Sequence, residues 1–262
     1  MTAPETLDDS TETTAVTVVA VHGNGGGATR FARLGERLAD DVALQAVTLP
    51  GFGDVPRDPS LRTVADYADR LAEMLPTSGS VVVLGHGIGG SIGLDLACRR
   101  PETMSGLVLH APVGAHLDSR LFPKLMSTDA ARSFVKRVIA SRLPRPLLHK
   151  VFFPNGVPEP HRAAFFEGYR HAEAFGQMFD IIDAPWFDGL EPIDELPVRL
   201  LWGAEDRVLK AGHTDQFTTK APNAEIQIVD GWDHFPMLEQ PAEYAEVIAE
   251  IARSLVASGE RA

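Results

Sequence analysis

The chain has 262 residues, 44% of them hydrophobic, enough for one large α/β domain with a substantial buried core. A formal charge of -12 at pH 7 argues against nucleic acid and anionic membrane as partners, because the summed field repels polyanions. Its single cysteine, Cys98, excludes an intrachain disulfide and a cysteine-based metal cluster, and its place in an apolar helical stretch reads as a small hydrophobe.

Residues 1-14 are acidic and rich in Ser and Thr, without the basic and apolar blocks of a signal peptide, and read as a disordered tail. No apolar run approaches the ~20 residues of a membrane span, so the expected location is cytoplasmic. From residue 15 to 262 the chain reads as a single domain. Apolar runs at 16-21, 43-48, 80-85, 106-110, 198-202 and 225-229 alternate with segments of helical period. That alternation predicts a mostly parallel, doubly wound α/β sheet covered on both faces. Thr63 to Leu75 carries Val64, Tyr67, Ala68, Leu71 and Leu75 on one helical face, with Thr63 as N-cap and Pro76 as stop. A last helix is predicted from Pro241, a first-turn proline, to about Leu255.

Residues 114-190 interrupt the alternation. Helical stretches are predicted at Asp129 to Leu143, Pro160 to Tyr169 and Glu173 to Ile182, separated by Pro144, Pro146, Pro154, Pro158 and Pro185. The segment is rich in aromatic residues, which implies an apolar roof over a pocket, with Phe153, Phe179 and Trp186 as candidate substrate contacts.

Four segments carry chemistry. The first predicted strand runs into His22-Gly23-Asn24-Gly25-Gly26, and the third into Gly85-His86-Gly87-Ile88-Gly89-Gly90. Later come Leu196 to Asp206, a strand ending in an acid, and Gly231-Trp232-Asp233-His234-Phe235-Pro236. In type and order these resemble the oxyanion loop, nucleophile elbow, acid strand and histidine loop of the α/β-hydrolase superfamily. The likeness covers about Val16 to Leu255 apart from the middle, and Pro50-Gly51-Phe52-Gly53 is similar to a further turn of that family. One departure governs the reading: Gly87 stands where G-x-S-x-G has its serine.

The resemblance implies an α/β-hydrolase fold in which the insertion after the strand at 106-110 is a helical lid. It also implies that Asp206 orients His234, and that the backbone amides of Asn24 and Ile88 form an oxyanion hole. His86 and His22 read as packed, hydrogen-bonded histidines, and His22 would brace its loop. Ser91, one helical turn beyond Gly87, would point down the helix instead of replacing the nucleophile. Loss of a triad serine costs about a millionfold in turnover, which closes an acyl-enzyme route. Three readings follow. The chain is an enzyme using a His234/Asp206 base on a small carbonyl or ester compound, by elimination or water attack; or an ester or C–C bond hydrolase with a Ser-to-Gly change; or a non-catalytic ligand-binding module. No metal or organic cofactor is expected, since no H-E-x-x-H pattern occurs. The oligomeric state is not legible.

Overall fold

The computed structural model describes residues 16–114, 128–141 and 145–259. The tail expected at 1-14 and part of the insertion lie outside the described residues. Six strands build one sheet: β1 (Val16–Val21), β2 (Val42–Val47), β3 (Ser80–His86), β4 (Gly106–His110), β5 (Val198–Gly203) and β6 (Glu225–Val229). All pairings are parallel, in the order β2-β1-β3-β4-β5-β6. The strand expected at 43-48 starts and ends one residue earlier, and β3 and β5 each extend one residue further than expected.

Helices fill the crossovers. After a 3-10 turn over Ala28–Phe31 come α1 (Ala32–Gly35), α2 (Val64–Met74) and α3 (Ile88–Arg99). The insertion carries α4 (Asp129–Ala140), α5 (Arg145–Phe152), α6 (His161–Arg170), α7 (Met178–Ile181) and α8 (Ala184–Asp188). The chain closes with α9 (Thr214–Thr218), α10 (Pro236–Glu239) and α11 (Pro241–Gly259). Thr63 caps α2 as expected: its hydroxyl accepts from the Asp66 amide at 3.1 Å, and Asp66 accepts from the Thr63 amide at 2.8 Å. Residues of β3 from Val81 onward, and all of β4, are buried without alternation, as a parallel strand covered on both faces requires.

Two expectations for the insertion are corrected. Pro146 was expected to separate helices, yet it lies in the first turn of α5, where a missing N–H costs nothing. The helix expected at Glu173 to Ile182 is confined to α7, and the residues before it are tied instead to the loops after β1 and β2. The Ala174 amide donates to the Gly51 carbonyl at 3.0 Å, and the Phe175 carbonyl accepts from Asn24 Nδ2 at 3.0 Å.

The strand order reverses at β1, with β2 on one side and β3 on the other. At such a switch point the loops leaving β1 and β3 part at the carboxyl edge and open a crevice. The start of α3 lies hard against this edge. A Cβ on Gly85 would overlap the backbone of Gly89 and Gly90, and one on Gly89 would overlap Val21 and His22. Gly85→Ala is therefore expected to destabilise the fold by about 3 kcal/mol, read as a lower urea midpoint at unchanged m-value.

Candidate active site

The loop after β5 and the loop after β6 bring Asp206 and His234 together. His234 Nδ1 lies 2.8 Å from Asp206 Oδ2, and both side chains are buried. The other Asp206 oxygen accepts from the amides of Val208 at 2.8 Å and Leu209 at 2.7 Å. Asp206 is thus held by its own loop and presents one oxygen to the imidazole. Asp233 performs a similar service next door: its Oδ1 accepts from the His234 amide at 2.7 Å and fixes the turn that carries the ring.

Gly87 forms the corner between β3 and α3 with φ 56° and ψ -116°. An L-residue adopts this backbone only under strain, and glycine does so freely. Space is not the limit, since a Cβ here would meet only the Gly23 Cα at 3.4 Å. The corner is pinned by the Gly87 amide to the His110 carbonyl at 3.1 Å and by the Val113 amide to the Gly87 carbonyl at 3.1 Å. Beside it, the amides of Asn24 and Ile88 have no hydrogen-bond partner among the described residues. Ile88 opens α3, so its N–H belongs to the first turn and carries the positive end of the helix dipole. Ser91 is fully buried, and its hydroxyl donates to the Val113 carbonyl at 2.7 Å, away from the corner.

Behind His234 stands a stack of histidines. The His86 ring lies 4.6 Å from that of His234 and 4.9 Å from that of His110. His86 Nε2 donates to the His234 carbonyl at 3.1 Å. Burial, reinforced by the neighbouring His234 and His110, holds His86 well below the usual histidine range. Burial likewise brings His110 down to about 3. His22 accepts from the Leu49 amide at 3.1 Å through Nε2, so the proton is on Nδ1, which donates to the Gly23 carbonyl at 2.9 Å. Burial lowers His22 to about 4. All three are neutral at pH 7, and His22 braces the loop as expected.

These depressions set an acid limit. An unfolded histidine takes up its proton near pH 6.5, whereas these do so only far below it. The unfolded chain binds more protons in that window, so stability is full above pH 6.5 and is lost as pH falls toward 4. Glu239 opposes them: burial raises it to about 7, so its contribution grows as pH falls from 7 toward 4.5. The net expectation is uptake of about two protons on unfolding at pH 5 and a falling Tm from pH 6.5 to 4.5, measured by calorimetry in buffers of different ionisation enthalpy.

His234, Gly87, Ile88 and Asn24 all line one cavity of about 550 Å³, with Asp206 behind the histidine. Of the three expected aromatic contacts, Phe179 lines this cavity, and Phe153 and Trp186 do not. Phe153 packs into an aromatic nucleus, 4.6 Å from the Phe165 ring and 5.7 Å from Phe235, while its neighbour Phe152 forms the wall. Trp186 instead braces the insertion on α3, donating from Nε1 to Asp95 at 2.9 Å. Phe235, carried by the histidine loop, lines the cavity, and so do Arg30 and Tyr169, which no motif marks. Cys98 is half-buried, and burial pushes its thiol up to about 12, outside any reactive range. Among the described residues no group of three or more His, Cys, Asp or Glu side chains could hold a metal ion. Nor, among them, is any helix long and apolar enough to cross a membrane.

Comparison with known proteins matches residues 18–247 to a family described as "Alpha/beta hydrolase family". The chain is 24% identical over 252 residues to a pimeloyl-[acyl-carrier protein] methyl ester esterase of Aromatoleum aromaticum, covering 90% of this chain and 98% of that protein. It is also 24% identical to an sn-1-specific diacylglycerol lipase of Mus musculus, over 90% of this chain and 81% of the other. Among solved structures, a Bacillus megaterium epoxide hydrolase bound to an inhibitor superposes with a TM-score of 0.70 at 17% identity, covering 90% of this chain and 93% of that one. At that identity the likeness speaks to the fold.

Proposed function

Because the chain belongs to the alpha/beta hydrolase family, we propose that it acts on a small carbonyl or ester compound by general-base catalysis, without a covalent serine intermediate. One observation carries this reading: the His234–Asp206 pair and two unpaired amides face a cavity whose corner residue, Gly87, has no side chain. No Ser, Thr or Cys is among the described residues that line that cavity.

In the elimination form of the reaction, His234 Nε2 removes a proton from the carbon next to the carbonyl. The C–H electron pair moves into the carbonyl, and the resulting enolate oxygen accepts from the Asn24 and Ile88 amides. As the enolate collapses, the bond to the leaving group on the next carbon breaks, and protonated His234 returns its proton to that group. Asp206 balances the transient imidazolium. With water in place of the C–H acid, the same base delivers hydroxide to an activated carbonyl, and the same amides hold the tetrahedral oxyanion. A positioned base supplies about 10²–10⁴ in rate and each oxyanion donor about 10²–10³, magnitudes suited to proton abstraction beside a carbonyl. The insertion acts as a lid that keeps water from the enolate.

The second reading, an ester hydrolase altered at position 87, draws on the room for a Cβ at Gly87 and on relatives whose names describe ester substrates. The test is 4-acetoxy-2-butanone, followed by NMR. Elimination yields the enone and acetate, and hydrolysis yields the hydroxyketone and acetate. Enone formation that disappears in His234→Ala supports the first reading; product formation indifferent to His234→Ala overturns it.

A further inference from the structure

Arg30 is unusual in this molecule. It is 5% exposed, lines the cavity, and forms no ion pair with any carboxylate among the described residues. Nη2 donates to the carbonyls of Gly25 at 3.0 Å and Phe165 at 3.4 Å, whereas Nη1 is enclosed and has no hydrogen-bond partner. The guanidinium stacks 3.6 Å from the centroid of the Phe165 ring. Burial lowers it to about 10, so it stays charged at neutral pH.

A buried, unpaired cation is costly, because fixed carbonyl dipoles and an aromatic face replace only part of its hydration. If tying loop to insertion were its whole task, a neutral amide would serve without that cost. The cavity wall points the same way. The chain has 36 acidic residues against 24 basic ones, yet Arg30, Arg207 and Lys210 line the cavity and no Asp or Glu among the described residues does.

We propose that Arg30 receives a carboxylate carried by the substrate, so that the compound turned over is an acyl or carbonyl compound bearing a second, anionic end. The inference rests on the reading of this cavity as the substrate site. A guanidinium with Nη1 left unpartnered among aromatic walls suits a carboxylate monoanion; a phosphate dianion asks for more donors than it has left. The carboxylate supplies the missing counter-charge, and the apolar wall holds the chain between it and the reacting carbonyl.

The test is isothermal titration of the native chain with the monomethyl esters of succinic, glutaric and adipic acid, each against its uncharged dimethyl ester. Binding is then read without requiring turnover. At least one monoester is expected to bind tenfold or more tighter than its diester. Arg30→Met, which keeps the packed stem, is expected to erase that preference while changing diester binding less than threefold. Arg30→Gln, which can still donate to the Gly25 carbonyl, is expected to do the same and decides the matter if the Met variant fails to fold. Equal loss of both esters would reduce Arg30 to a structural tie and overturn the proposal, as would the absence of any preference in the native chain. His234→Ala is expected to leave the preference intact, so failure of the general-base reading is distinguishable. Binding of neither ester type would overturn both the cavity assignment and the inference.

Discussion

Gly87→Ser is expected to raise hydrolysis of short acyl esters by about a thousandfold or more, part of the millionfold that removal of a triad serine costs. The corner makes a sharp, strained strand-to-helix turn of the kind that carries an elbow serine, a Cβ has room beside the Gly23 Cα, and His234 is hydrogen-bonded to Asp206 at the same cavity. The variant carries a penalty of about 1–3 kcal/mol, because serine at φ 56° is strained where glycine is not. A lowered Tm together with a gained activity is therefore the expected signature. The measurement is turnover of p-nitrophenyl acetate and butyrate by both chains, with mass spectrometry for an acyl adduct on residue 87. A folded serine variant with neither adduct nor gain would show a cavity reshaped around glycine, and the ester-hydrolase reading would fall.

His234→Ala is expected to cut turnover of the elimination substrate by about 10²–10⁴, the full contribution of a positioned base. This substitution is cleaner than one at Asp206. The aspartate also accepts from the amides of Val208 and Leu209, so its removal orphans two backbone donors and loosens the β5 loop. The alanine at 234 keeps the Asp233 contact to its amide and the backbone carbonyl that receives His86. Residual rate in this variant measures what the two amides and the cavity do alone. A variant rate within threefold of the native chain would remove the histidine from the chemistry.

The parts of the fold that were legible in the sequence are those determined locally. A buried parallel strand is a short apolar run, and a turn where α3 presses on β1 demands glycine, so β1, β3 and the corner at Gly87 could be placed almost to the residue. The histidine and its acid were legible through the motifs around them. Side-chain direction within the insertion was not. Successive helical residues point about 100° apart, so without the phase of α5 nothing chooses Phe152 over Phe153 for the cavity wall. Arg30 escaped for a related reason: its meaning lies in what is absent around it, a carboxylate, and absence in space leaves no mark in sequence.

Two ties described above join the loop after β1 to the insertion: Asn24 Nδ2 to the Phe175 carbonyl, and the Arg30 guanidinium bridging the Gly25 and Phe165 carbonyls. Any outward swing of the insertion that admits a ligand must release them, and the Asn24 amide then loses the scaffold that aims it. On the proposed reading, in which the insertion is a lid and the Asn24 amide holds the oxyanion, these ties form an interlock that keeps the amide in register only with the lid shut. On that reading an open molecule exposed to bulk water would be an idle one, its chemistry waiting for enclosure.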